Sequence, residues 1–144
     1  MQNKKDKQLL DKLIEFHGHL GPYLVLGYRM GIIGLRETGA KKYFGIQVSV
    51  RCPAKPPERC LVDGLQYATG ATYGKANICI TKFSNNVEVK VTNLKTKDKT
   101  IISFHPNWYQ QFRKALVPDE AKMHILSHQI MNECEKVIFC IIKR

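Results

Sequence analysis

Residues 23–35, YLVLGYRMGIIGL, constrain the fold more than any other stretch of the chain. They are apolar on most sides, so a helix formed here has to be enclosed by other elements rather than laid on a surface. Gly27, Gly31 and Gly34 recur along it at helical spacing. Glycine costs a helix about 0.5–1 kcal/mol relative to alanine, and small residues on one face let a second backbone approach closely. Pro22 stands where the first helical turn tolerates proline, and Gly39 ends the segment. A buried helix needs a core around it. The chain's 144 residues, 44% of them hydrophobic, suffice for a single domain over 1–144.

The flanking segments supply the surrounding elements. Leu9, Leu10, Leu13 and Ile14 follow the spacing of an amphipathic helix over residues 8–16. Phe44, Ile46, Val48 and Val50 alternate with Gly45, Gln47, Ser49 and Arg51, which predicts a strand. A proline-rich loop (CPAKPPER) leads into a short helix over 60–68, and a glycine-punctuated turn (GATYGKAN) leads out of it. Three strand-like runs cover 78–83, 87–94 and 100–104. Asn85-Asn86 suggests a hairpin between the first two. Helices are expected over 107–116 and from Pro118-Asp119 to about Cys134, the latter with Met123, Leu126, Ile130 and Cys134 on its core stripe. The run VIFCII, 137–142, is β-branched and predicts a last strand. This order does not alternate βα. The expected class is therefore α+β: N-terminal helices, a central and mostly antiparallel sheet, C-terminal helices and a short final strand.

The formal charge is +11, large for this length, and attracts anions: nucleic acid, a phosphorylated or carboxylated ligand, or an acidic partner. No apolar run reaches the ~18 residues of a membrane helix. The N-terminal residues lack the apolar core of a signal peptide, so a cytoplasmic location is expected. The five cysteines are odd in number and include no Cys-x-x-Cys pair, which favours reduced thiols over a disulfide framework or a four-cysteine zinc knuckle.

Three segments carry candidate chemistry. In FHGHLGP, His17 and His19 flank a glycine at a break between two helices, and such a loop can aim both rings at one point. A histidine that merely answers a helix dipole has the same appearance. In CLVDGLQ, Cys60 and Asp63 share a helix face at i, i+3. Cys60 would sit near a helix N-terminus with Arg59 and Lys55 close by, all lowering its thiol pKa. If the two segments meet, thiol, carboxylate and imidazoles make a zinc or iron site, or a cysteine–histidine nucleophile pair. If they do not, Cys60 is a small buried hydrophobe and Asp63 a local cap. In GATYGKAN the spacing of a phosphate loop fails, with three residues between the glycines and Ala76 in place of the hydroxyl. Thr72, Lys75 and Asn77 could still hold an anionic group, or simply build a turn. His124 and His128, at i, i+4, read mainly as a solvated flank, and the lysines at 90, 95, 97 and 99 read equally as a basic ribbon or as edge protection.

Taken together, FHGHLGPYLVLGYRMG followed by CLVDGLQYATGATYGKANI resembles the E-subunit family of formylmethanofuran dehydrogenase. The likeness is strongest over residues 16–80. It is a likeness to the family's core domain, without the zinc-finger domain that some members append. The resemblance implies an α+β core, an intertwined homodimer and an association with the molybdenum or tungsten enzyme that reduces carbon dioxide onto methanofuran. It also implies that His17, His19 and Cys60 are the active-site or metal positions, with zinc or another divalent metal as the cofactor. Asp63, Gln66, Thr72, Lys75 and Asn77 match the surrounding polar shell. Arg51 joins Lys75 as a basic rim for an anionic small molecule. Gly21 and Ala71 stand where many members carry cysteines, which leaves a His/His/Cys set. Two other roles are open to such a chain: a non-catalytic accessory or regulatory protein docked on the dehydrogenase, or a nucleic-acid binder using its basic surface.

Overall fold

A computed structural model describes residues 3–144. Helix α1, Lys4–His17, starts four residues earlier than its apolar spacing suggests, because Asn3 caps it: the Asn3 side chain accepts from the Lys5 and Asp6 amides at 2.7 and 3.0 Å. It ends at Gly18, whose φ of 111° lets its N–H return to the Ile14 carbonyl. Helix α2, Pro22–Thr38, is the enclosed element that the sequence demands, with Tyr23, Leu24, Val25, Leu26 and Met30 all buried.

The glycines of α2 do what their spacing implies. A Cβ at Gly27 would overlap the Leu61 carbonyl, one at Gly31 would press on Ala68, and one at Gly34 would press on Val91. Helix α3, Leu61–Thr69, reciprocates: a Cβ at Gly64 would overlap the Leu24 carbonyl. The two backbones are thus in direct contact, closer than side chains normally permit.

The described residues form five strands, β1 (Ile46–Cys52), β2 (Ile78–Phe83), β3 (Glu88–Asn93), β4 (Lys99–Phe104) and β5 (Phe139–Lys143), arranged in the order β2-β1-β3-β4-β5. Three of the four pairings are antiparallel, and β1 with β2 is parallel. The hairpin expected at Asn85-Asn86 does not form, because β1 lies between β2 and β3. Burial explains the order. Ile46, Val48, Val50 and Cys52 of β1 all point into the core, whereas β2 buries only Ile78 and takes the edge. The parallel pair then needs a crossover, which α3 supplies. Phe44, expected in the first strand, lies instead in a 3₁₀ turn over Tyr43–Gly45 and is 73% exposed.

Helix α4, Pro106–Ala115, and helix α5, Glu120–Asn132, follow β4. A short helical turn, α6 (Glu135–Ile138), occupies the start of the segment expected to be strand, so β5 begins two residues later than expected. Cys134, assigned to the core stripe of α5, is exposed beyond the end of that helix.

Helix α2 packs against the face of the sheet that carries Val89, Val91 and Ile102. The opposite face is open and polar, as antiparallel sheets allow. There Arg51, Lys90, Lys97, Lys99 and Arg144 surround a shallow hollow of about 510 Å³, with Glu88 the single acid among its lining residues. No helix among the described residues is long and apolar enough to cross a membrane.

Candidate functional site

The break between α1 and α2 places His17 and His19 on one cavity of about 450 Å³, and Cys60 lines the same cavity. The two helices and the turn before α3 therefore converge, as Gly18 between the histidines and Gly21 after them permit. His17 is the last residue of α1, and its side chain is 8% exposed. Its Nδ1 lies 2.6 Å from Oδ2 of Asp63, in the first turn of α3. A carboxylate accepts and does not donate, so Nδ1–H donates and Nε2 keeps its lone pair in the neutral ring. That Nε2 is buried and has no hydrogen-bond partner. The ring of His19 stands 4.8 Å from that of His17, centroid to centroid, on an exposed residue. A Cβ at Gly21 would lie 3.3 Å from Nε2 of His19.

The Cys60 thiol behaves opposite to expectation. Burial pushes its pKa up, and the carboxylates of Asp63 and Glu58 add to the rise. Of the two cations expected to oppose this, Lys55 and Arg59, neither acts on the sulfur, and Arg59 is turned away: it donates to the Ala54 carbonyl at 3.2 Å and lies over the Phe83 ring. The free thiol is therefore protonated at neutral pH, and only a bound cation would favour its thiolate.

The rest of the polar shell is elsewhere. Thr72, Lys75 and Asn77 build the turn between α3 and β2. Asn77 Oδ1 accepts from the Thr72 amide at 3.0 Å, while its Nδ2 donates to the carbonyls of Tyr43 and Ile46. Lys75 reaches the Thr72 hydroxyl and lies over the Tyr43 and Phe44 rings. Gln66 lies on α3 outside the cavity lining, and Ala71 is fully buried in the core. Arg51 points to the open face of the sheet, as its place after Val50 in an alternating strand requires. Lys75 and Arg51 thus form no rim around the histidines. His124 and His128 stand side by side on α5, their rings tilted by 56° with centroids 4.7 Å apart.

Sequence spacing missed the far wall. Leu116, Val117, Pro118 and Met123, from the α4–α5 connection and the start of α5, close the cavity opposite Leu20 and Leu24, and Asp119 and Glu120 are its acidic residues. Tyr23 also lines it. Burial, first, and its hydrogen bond to the Tyr109 hydroxyl at 2.8 Å raise the Tyr23 pKa far above the ordinary phenol range. The one local signal was the helix start at Pro118-Asp119. Nothing in it reports contact with a loop a hundred residues earlier.

The donor chemistry fits a borderline divalent ion such as zinc. An imidazole oriented by a carboxylate, with its second nitrogen buried and unpaired, is the usual form of a metal-ligating histidine. A second imidazole and a thiol share its cavity. Among the described residues no three His, Cys, Asp or Glu side chains already stand together at ligating positions. Gathering the set around an ion therefore takes side-chain rotation, which the exposed His19 is best placed to make.

A two-layer α+β domain with a histidine-and-thiol cavity at its helix junction is thus the class that fold and site define. The family described as FmdE, Molybdenum formylmethanofuran dehydrogenase operon, matches residues 16–142, and the chain belongs to it. Its fold is similar to the crystal structure of a tungsten formylmethanofuran dehydrogenase FmdE-like protein from Syntrophus aciditrophicus. The TM-score is 0.62 at 14% identity, over 96% of this chain and 71% of that one. It is also similar to a protein of Archaeoglobus fulgidus named Probable S-adenosyl-L-methionine-binding protein, 32% identical over 97 residues. That match takes in 63% of this chain and 24% of the relative, so the chain spans about a quarter of that protein's length.

Proposed function

We propose that the chain is an FmdE-like protein associated with molybdenum or tungsten formylmethanofuran dehydrogenase, and that His17, His19 and Cys60 hold a divalent metal in its cavity. The observation that carries the metal reading is the orphaned, buried Nε2 of His17, whose ring is fixed from the other side by Asp63. A buried acceptor without a partner costs about 1–3 kcal/mol, and a cation would offset that cost. A bound divalent ion would supply positive charge at a site whose own charged neighbours, Asp119 and Glu120, are acidic. The anionic group of a carboxylated ligand would then be drawn to the ion rather than to Lys75 or Arg51. The remaining walls, Leu20, Leu24, Leu116 and Val117, suit an apolar moiety, and the cavity volume is that of a small-molecule site. Asp63 orients the His17 ring, and Cys60 and His19 complete the donor set. The homodimer implied by the resemblance belongs to this reading.

Elemental analysis of the purified protein tests it. About one divalent ion per chain is expected in the wild type. His17→Ala and Cys60→Ala should each lose it while keeping the native circular dichroism. A metal content unchanged by either substitution overturns the assignment.

A further inference from the structure

The far edge of the sheet carries a second thiol–imidazole pair, distant in the chain from the cavity and sharing no residue with it. β5 is an edge strand, and its Cys140 faces Ser103 of β4 in the ladder. His105 comes immediately after β4. Its backbone N–H donates to the Ile138 carbonyl at 2.9 Å, which ties the end of β4 to the start of β5. That tie brings the His105 ring against the strand: Sγ of Cys140 lies 3.0 Å from Nδ1 and 3.9 Å from Nε2. Both residues are half-buried, and both line an open hollow of about 400 Å³ together with Glu135, Lys136 and Ile142.

Sulfur and ring nitrogen within hydrogen-bond reach is the arrangement in which a histidine takes a thiol's proton as the sulfur attacks. The tautomer with its hydrogen on Nε2 presents Nδ1 as the acceptor. Two charged groups line the hollow. Glu135 would oppose a developing thiolate, but both its oxygens are held by Arg36, at 2.6 and 2.9 Å. Lys136 would favour one. The hollow is of a size for a small molecule.

We propose that Cys140 and His105 form a reactive-thiol site that exchanges with low-molecular-weight disulfides. Sγ of Cys140 attacks one sulfur of the disulfide RS–SR, and His105 takes the thiol proton. A Cys140–SR bond forms and the RS–SR bond breaks. The departing RS⁻ collects the proton and leaves as RSH. Cys140 is oxidised to a mixed disulfide as the small disulfide is reduced, so no further oxidant enters.

The full chain supplies its own references. Cys79 and Cys134 are exposed, while Cys52 is buried and reports unfolding. The protein is incubated briefly with glutathione disulfide at pH 7, quenched, digested, and each cysteine's mixed disulfide is quantified by mass spectrometry. Cys140 should react at least tenfold faster than Cys79 and Cys134 despite its lesser exposure. His105→Gln should bring it down to their rate without changing theirs. A Cys140 rate at or below that of Cys79 in the wild type overturns the proposal. So does a His105→Gln protein that keeps Cys52 protected and Cys140 fast. Should Cys52 become reactive in that variant, the wild-type ratio alone decides.

Discussion

His17 shows how much one hydrogen bond can determine. With Nδ1–H committed to Asp63, the ring can neither flip nor change tautomer without stranding a carboxylate, so Nε2 of the neutral ring is always an acceptor. Asp63 is accordingly a positioning residue for whatever Nε2 binds. Asp63→Asn keeps an oxygen for the Nδ1–H but removes the carboxylate's negative charge from behind the ring. Metal affinity should fall by about 10–100-fold, measured by competition with a chelating dye, with little change in melting temperature. Equal affinity in the two proteins would show that Asp63 serves only to tie the end of α1 to α3. The same scale explains why Cys60 was misjudged from sequence. Cations and carboxylates alternate around it in the chain, as Lys55, Glu58, Arg59 and Asp63, and it is the carboxylates that act on the sulfur while Arg59 turns to the Ala54 carbonyl. Charge order along the chain does not give charge order around a sulfur.

Among the elements, α2 and α3 are held by backbone contact rather than by interlocking side chains. Gly64→Ala should therefore be far more damaging than an ordinary helix substitution, since the new methyl meets the Leu24 carbonyl, which cannot yield without moving α2. Overpacking of this kind costs about 1–3 kcal/mol or more. Thermal unfolding should show a drop of several degrees, whereas Gly74→Ala, where a Cβ meets only the Thr72 hydroxyl at 3.9 Å, should change little. This contact was legible in the spacing of Gly27, Gly31 and Gly34, as were the helices, the α+β class and the strand at 78–83. The strand order was not. Nothing local in Val87–Leu94 says that its partner is β1 rather than β2, because pairing is decided by which strand has the deeper apolar face. The histidine pair and Cys60 were legible because glycines and helix breaks mark them. The wall from Leu116 to Met123 was not, because its residues are ordinary for a helix connection.

Across the whole molecule, charge decides the response to acid. Arg36 joins α2 to α6, holding Glu135 and Glu37 at 2.6 and 2.8 Å, and its hydrogen bonds push the pKa of both carboxylates below the ordinary 4.5. A carboxylate with a depressed folded pKa stabilises fully above its unfolded value, and that contribution fades as pH falls through the folded value. The protein should therefore lose stability below about pH 4.5, and Arg36→Gln should flatten this acid limb while changing stability at pH 7 only slightly, as followed by denaturant midpoints across pH 3–7. The exposed pairing keeps the effect modest. The two sides of the histidine cavity differ in what fixes them. His17 is carried on α1 and tied to α3 through Asp63, while Leu116, Val117 and Pro118 come from the short connection after α4. Relatives can therefore lengthen, shorten or recompose that connection and acquire a differently shaped recess, while inheriting the nitrogen donor unaltered; ligand preference in such a lineage can diverge at one loop.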